Sequence, residues 1–303
     1  LNRAKAKRRF SVVVPLMSNT SQSRGTKRKG NDGAEQATVK KAKKVNVTTQ
    51  RCPYLPTVDR SVIDFDFEKI CCETLAITNI YMCCVCGKYY QGRGMGTAAH
   101  VHSLQADHHV FINVRSGKFY CLPDNYEVID PSLNNITRVL NPVYDKQLIK
   151  DLDTKDIQCR TLQGKQYKPG IVGLNNIKGN EYLNVALQSL CACTDLRNFF
   201  LLPENYKSVR SELVQQFGLL LRKMWNPANF KAQASPHELV QEIAVRSKKR
   251  FEIGAAADPL DFLTWFLNTL HRDFKGTKKR SSSIINKCFQ GILSVHGKEH
   301  VGK

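Results

Sequence analysis

The sequence lacks a long hydrophobic run. Its longest apolar stretches, such as 11–17 and 199–202, fall far short of the roughly 20 residues that a membrane-spanning helix needs. No hydrophobic signal region stands at its start. We therefore expect a protein that neither spans a membrane nor is secreted.

Cysteine is too sparse for a scaffold held together by disulfides. There are eleven cysteines in 303 residues, and several of them cluster with histidines. This pattern is typical of metal ligation in a reducing compartment. Since 42% of the residues are hydrophobic, the chain can form one or two packed cores. A globular protein of the cytosol or nucleus is predicted.

The first fifty residues have almost no acidic or aromatic side chains. They hold thirteen Lys or Arg against Asp32 and Glu35, and Phe10 is their only aromatic residue. Such a composition cannot bury enough apolar surface to offset the entropy lost on ordering. Residues 1–50 are therefore predicted to form a disordered basic tail.

Two basic clusters in this tail, 27–29 and 40–44, are separated by ten residues and resemble a bipartite nuclear import signal. A simpler alternative is a solvated charge run that keeps the chain soluble or contacts RNA phosphates. We favour the import signal and hence a nuclear location. The residues expected to contact acidic pockets of an import carrier are Lys27, Arg28, Lys40, Lys41, Lys43 and Lys44.

Beyond residue 51, aromatic and β-branched residues appear and indicate a folded domain that contains a C-x2-C pair. The two thiolates of such a pair converge on one cation, and two later imidazoles can complete the tetrahedron that zinc prefers. His100 and His109 are alternatives to the two chosen histidines, and Cys84 is an alternative to the first cysteine. The ligands predicted for one structural Zn²⁺ are Cys83, Cys86, His102 and His108.

The spacing of these histidines constrains the local structure. Six residues turn a helix by about 600°, so a helix that carries His102 must end before His108. Asp107 is the expected point of termination. Alternating residues on both sides of a Ser116-Gly117 turn then predict a β-hairpin. We expect a small α+β unit with a connector within 51–150, and only partial order over 123–169.

The order of these residues resembles the UBP-type zinc finger of ubiquitin-specific proteases. The pattern that carries the resemblance is Cys83-x2-Cys86, Gln91-Gly92-Arg93, His102 and His108.

The resemblance implies a variant with one zinc ion. Gln91 replaces a cysteine of the family's ubiquitin-binding members. Cys52 and Cys121 resemble the remaining ligands of a further zinc site whose other ligands are absent. Only Arg93 and Tyr120 match the pocket that holds the ubiquitin carboxyl terminus. We therefore do not expect ubiquitin to bind the finger.

Residues 173–188 resemble the Cys box of ubiquitin-specific proteases, G-L-x-N-L-G-N-T-C-Y-M-N-S-x-L-Q. At the position of the nucleophilic cysteine the chain has Glu181, and Asn176 matches the oxyanion-hole asparagine. A carboxylate is a weak nucleophile toward amides, and its charge opposes an oxyanion nearby. The resemblance therefore implies a pseudo-protease without catalytic residues.

Apolar spacing after Glu181 predicts a helix, and an acidic residue in its first turn suits the helix dipole. Cys191 and Cys193 are expected in the core. Further helices are predicted for 208–225, after a capping box at 235–238, and from 258, with His271 as a surface or capping group. Residues 170–303 thus resemble the mostly helical thumb of a papain-like ubiquitin-specific-protease fold, truncated at its C-terminal side.

One family combines a basic tail, a finger that begins Cys-Pro-Tyr-Leu, an acid at the nucleophile position and the segment 120–127. The chain resembles this family, the ubiquitin-specific-protease-like proteins of the spliceosomal tri-snRNP, also called snRNP-assembly-defective proteins, over 52–300. The resemblance implies a silent nuclear scaffold for tri-snRNP assembly in pre-mRNA splicing. The partners it implies are tri-snRNP proteins and small nuclear RNA.

Two other functions remain open at this point. An active nuclear deubiquitinase would need a nucleophile such as Cys191, which lies toward the negative end of the predicted helix, where a thiolate is disfavoured. A zinc-dependent RNA-binding module would need a basic, aromatic surface on the finger, whose charge is nearly balanced.

Overall fold

The computed structural model describes residues 52–279 and 281–291. The tail and import signal predicted within residues 1–50 lie outside the described residues. Within the part that is described, no helix is both long enough and apolar enough to cross a membrane.

The N-terminal part is a five-stranded antiparallel sheet, of strand order β2-β1-β3-β4-β5, with one helix in contact with β2. The predicted hairpin is confirmed, with Phe111 paired to Tyr120 across its two strands. The helix ends at Asp107, as predicted, where the backbone turns left-handed with φ 56°. The elements are β1 (Ile80–Cys83), β2 (Tyr89–Gln91), α1 (Ala98–Ala106), β3 (Val110–Asn113), β4 (Phe119–Cys121) and β5 (Tyr126–Val128).

The connector predicted to be only partly ordered is instead regular, so that prediction was wrong. It forms α2 (Asn134–Leu140), α3 (Lys146–Thr154) and a small hairpin of β6 (Cys159–Arg160) and β7 (Gln166–Tyr167). The order comes from later parts of the chain, because Tyr144 donates a 2.6 Å hydrogen bond to the carbonyl of Arg222. This bond joins residues 78 positions apart, so the connector sequence alone does not predict it.

The C-terminal part is mostly helical. The stripe predicted on its first helix is confirmed, because Leu183, Ala186 and Leu187 are all buried. Two short parallel strands, β8 (Gly173–Leu174) and β9 (Gln233–Ala234), pair beside the bundle. The helices are α4 (Glu181–Ala192), α5 (Thr194–Leu201), α6 (Glu212–Met224), α7 (His237–Arg246), α8 (Pro259–Asp273) and α9 (Ile284–Phe289).

The capping box predicted at 235–238 does not form. Helix α7 begins at His237 after Pro236, and no side chain caps it. Glu238, expected to complete the box, contacts Lys69 instead. A tertiary ion pair has therefore replaced the local hydrogen bond that the sequence pattern predicted.

His271 is buried, which contradicts its predicted role as a surface or capping group. Its side chain lies against Gly276, where an added Cβ would meet the ring at 2.1 Å. Its Nδ1 is 2.7 Å from the hydroxyl of Ser283, which caps α9. His271 thus joins the end of α8 to the start of α9.

The finger (residues 52–140) and the helical part (residues 170–291) share an interface. Phe230, which follows α6, is 7% exposed and packs with the core of the finger. Nζ of Lys223 lies 3.0 Å from Oδ1 of Asp66, and both side chains are largely buried. Removing one partner of such a pair leaves an uncompensated buried charge. The ion pairs that border this contact are Lys231–Asp64, Lys69–Glu238 and His237–Glu68.

The variant Phe230→Ala tests this interface. Loss of a buried phenyl ring should lower the free energy of unfolding by about 3–5 kcal/mol, measured by urea unfolding with circular dichroism. The matched control is Phe67→Ala, since Phe67 is 66% exposed, and its effect should stay within about 0.5 kcal/mol. Equal losses in the two variants would contradict the packing described here.

Candidate functional site

Four potential metal ligands come together beside the sheet of the finger. Cys83 ends β1, Cys86 lies in the turn to β2, His102 is on α1 and His108 comes just before β3. Their ligand atoms all lie within 4.8 Å of one another. These are the four residues that the sequence pattern singled out, and the end of α1 at Asp107 lets both imidazoles face the thiols.

The distances between these atoms suit a tetrahedral zinc ion. Zinc–sulfur bonds of about 2.3 Å and zinc–nitrogen bonds of about 2.0–2.1 Å place neighbouring sulfur and nitrogen ligands about 3.5 Å apart. The Sγ of Cys83 is 3.6 Å from Nδ1 of His108, and the Sγ of Cys86 is 3.5 Å from Nε2 of His102. The two ring nitrogens are 3.1 Å apart. The donor set therefore fits the ion.

The turn that carries the two thiols is fixed by its backbone. Gly87, with φ +73°, donates its N–H to the carbonyl of Cys83 at 2.9 Å. A side chain at Gly87 would meet the carbonyl oxygen of Val62 at 2.3 Å, so the turn requires glycine. A hydrogen bond between the two thiols lowers the pKa of Cys86 and, together with burial, raises that of Cys83, so Cys86 is the thiol that ionises first. An easily formed thiolate is the state that binds a soft metal ion.

The alternative ligands take other roles. The ring of His109 lies 3.8 Å from that of Tyr54, and its Nδ1 is 2.6 Å from the carbonyl oxygen of Leu122. Cys84 is fully buried, and burial raises its pKa, so a thiolate is disfavoured there. The ring of Tyr90 stacks on that of His102, with ring centres 4.1 Å apart, and the sequence pattern did not indicate this contact. An aromatic residue beside a C-x2-C motif is too common a pattern to have identified it.

The residues that match the family's ubiquitin pocket lie together. The guanidinium of Arg93 is 4.2 Å from the centre of the Tyr120 ring and donates a hydrogen bond to Asn125. Cys52 and Cys121, predicted as leftovers of another metal site, are both buried in the core of the finger. That ubiquitin does not bind the finger stays a prediction.

The second candidate site is the N-terminus of α4. Glu181 is the first residue of the helix, and its Oε1 accepts a 2.6 Å hydrogen bond from Nδ2 of Asn176. The Oδ1 of Asn176 accepts the backbone N–H of Asn180 at 3.0 Å. The asparagine thus bridges the loop and the helix start, and the carboxylate lies at the positive end of the helix dipole.

Other residues of the box hold the surrounding backbone. Asn184 donates to the carbonyl of Asn175 at 3.2 Å, and Gln188 donates to the carbonyl of Val172 at 3.4 Å. Both bonds fix the β8 segment along α4. The ring of Tyr182 packs edge-on to a buried phenylalanine of α8, with ring centres 5.9 Å apart. The architecture of the box is therefore maintained by contacts that do not need a cysteine at 181.

The two cysteines near the end of α4 lie in or against the core, as predicted. Cys191 is 1% exposed, and its Sγ is 3.3 Å from the sulfur of Met224. Burial raises the pKa of the Cys191 thiol, so the thiolate needed for attack is disfavoured. Cys193 is partly buried and packs against the same core.

Comparison with known families matches both parts of the chain. Residues 70–133 match the model described as a zinc finger in ubiquitin-hydrolases and other proteins. Residues 172–299 match the model described as ubiquitin carboxyl-terminal hydrolase. The chain thus combines a zinc-binding finger of the UBP type with a fold of the ubiquitin-specific-protease type, as the sequence predicted.

Similar proteins include splicing factors. The chain is 52% identical over 258 residues to ubiquitin carboxyl-terminal hydrolase 39 of Mus musculus, covering 83% of this chain and 46% of that protein. It is 42% identical to the probable mRNA-splicing protein ubp10 of Schizosaccharomyces pombe, and the match covers 81% of this chain and 49% of that protein. A solved structure described as an essential yeast splicing factor is 35% identical, with a TM-score of 0.66, and the match covers 73% of this chain and 55% of that one. The chain is a homologue of these proteins and spans about half their length.

Glu181→Ala tests the role of the carboxylate in the helix. Loss of the hydrogen bond with Asn176 and of the favourable charge at the helix N-terminus should lower the free energy of unfolding by about 0.5–2 kcal/mol. Urea unfolding measures the change, with the exposed Glu204→Ala as control. A more stable Glu181→Ala variant would show that the carboxylate strains the site rather than supporting it.

Proposed function

We propose that this chain is part of a catalytically silent, ubiquitin-hydrolase-like scaffold that supports tri-snRNP assembly or stability in pre-mRNA splicing. The observation that carries the proposal is the Glu181 carboxylate at the start of α4, where the family's nucleophilic cysteine is expected. Two similar proteins are named as splicing proteins, and this supports a role in pre-mRNA splicing.

The chemistry at this position argues against hydrolysis. Attack on an isopeptide carbonyl by the thiol mechanism of this protease type requires a thiolate at the start of the helix. A carboxylate is a weak nucleophile toward an amide, and its negative charge repels the oxyanion that would form beside it. The Asn176 amide, the matching oxyanion donor, already donates to Glu181. The helix start therefore has no thiol nucleophile, and its matching oxyanion donor is engaged by the carboxylate.

A scaffold requires shape and not turnover. Tyr182, Asn184 and Gln188 remain in the positions of the box and hold the loop and core around α4. The interface with the finger, centred on Phe230 and the Lys223–Asp66 pair, joins the two parts into one surface. A rigid body of this kind can present contact surfaces to several partners, here tri-snRNP proteins and small nuclear RNA.

The finger in this proposal binds one structural Zn²⁺. Cys83, Cys86, His102 and His108 are its ligands, in keeping with their mutual distances. Four protein ligands leave no open position for a reactive water molecule, so the ion would stabilise the fold and take no part in catalysis.

A nuclear location completes the proposal. Splicing takes place in the nucleus, and the two basic clusters at 27–29 and 40–44 have the composition and spacing of an import signal. A reporter fused to residues 1–50 should accumulate in the nucleus. A reporter that stays in the cytoplasm would show that residues 1–50 do not contain an import signal.

The zinc assignment is tested by His108→Ala. The unaltered protein should contain one zinc ion per chain by elemental analysis, and His108→Ala should lose most of it, since one of four ligands is missing. Its control is His100→Ala, which removes a histidine outside the cluster and should retain the metal. Chelation should also lower the melting temperature, because structural zinc supplies folding energy. Equal zinc contents in the two variants would refute the ligand set.

Affinity purification of the tagged full-length protein from nuclear extract tests the scaffold function. Small nuclear RNAs and tri-snRNP proteins should co-elute, and the Glu181→Ala variant should recover the same set because no chemistry is involved. Recovery of ubiquitin conjugates without small nuclear RNAs would overturn the proposal.

A further inference from the structure

Two basic loops meet at one end of the helical part. The first, residues 246–250, begins at the last residue of α7, and the second, residues 272–279, begins in the last turn of α8. Nη2 of Arg246 binds both carboxylate oxygens of Asp273, at 2.7 and 2.8 Å. The hydroxyl of Ser211, which caps α6, contacts the same carboxylate. Three helix ends are therefore tied together at Asp273.

The basic loops carry a large excess of positive charge. They contain eight Lys or Arg and one acidic residue, Asp273, whose side chain is only 13% exposed. Glu212 and Glu242 lie nearby, and burial raises the pKa of Glu242. Within the described ranges no carboxylate lies within 4.0 Å of four exposed cations of these loops. They are Lys248, Lys275, Lys278 and Lys279.

Three of the lysines occupy strained backbone positions. Lys248, Lys249 and Lys275 have φ of 54°, 65° and 53°, in the left-handed region. Glycine is the usual residue there at a helix end, and any other residue costs roughly 1–2 kcal/mol. Arg246 and Arg272 already lie in the last turns, where they complement the helix dipoles. Three further lysines with a backbone cost therefore indicate a role in binding.

The surface suits a polyanion better than a protein. Protein interfaces have a core of apolar and aromatic anchors, and all exposed side chains of the basic loops are polar or charged. Without exposed aromatic rings there is no platform for stacking unpaired bases. A duplex phosphate backbone needs only positive charge at the right places.

We propose that the basic loops bind the sugar-phosphate backbone of double-stranded RNA. The inference rests on the proposed function only in the choice of RNA as the polyanion. The site is on the helical part, and neither the finger nor its metal is involved. If RNA does not bind here, the scaffold function and its co-purification test are unaffected.

Binding of a fluorescein-labelled 16-base-pair RNA duplex to the full chain, followed by anisotropy over a range of salt concentrations, tests the inference. The variant Lys248→Gly/Lys275→Gly removes two charges and relieves backbone strain, so it should fold and be at least as stable as the unaltered chain. The slope of log K against log salt should become less negative by about two. Affinity near 0.1 M salt should fall about 10- to 100-fold.

The matched control is Arg115→Gly/Lys165→Gly, which removes two exposed charges from turns outside the basic loops. Its slope should change by much less than that of the lysine variant. Equal changes of slope in the two variants would show that the RNA binds through the overall charge of the chain and not through the basic loops, and would overturn the inference. Displacement of the duplex by a 20-residue polyglutamate at equal charge concentration would also overturn the inference, because the surface would then favour acidic proteins.

Discussion

The contact between Asn176 and Glu181 connects the chemistry of this protein with its architecture. In a thiol hydrolase, the asparagine of this box would stabilise an oxyanion, and the helix N-terminus would favour a thiolate. Here both features act on a permanent carboxylate, bound at 2.6 Å. The electric field that would assist catalysis instead stabilises the start of α4, so the same geometry has a structural use.

Stability of the helical part depends on the finger as well. Phe230 belongs to the core of the finger although it follows α6, and Lys223 is neutralised by Asp66 from the other side of the interface. A finger that binds zinc therefore supports the surface on which the helical part packs. The fold of the finger and the packing of the helical part are therefore coupled through this interface.

Much of this organisation could be predicted from local spacing. The four candidate ligands, the hairpin and the stripe of α4 depend on neighbours within about thirty residues, and the structure brings them together as expected. The errors share one cause. Glu238 pairs with distant Lys69, and His271 is buried against the loop that leads to α9, so long-range contacts replaced the local roles that the pattern indicated.

Turnover of a fluorogenic ubiquitin carboxyl-terminal amide by the full-length protein, beside an active ubiquitin-specific protease, tests the central claim most directly. We predict release no faster than in buffer, because Glu181 presents a carboxylate and no thiol at the start of α4. Saturable release that is lost on Cys191→Ser or Glu181→Ala would contradict the account.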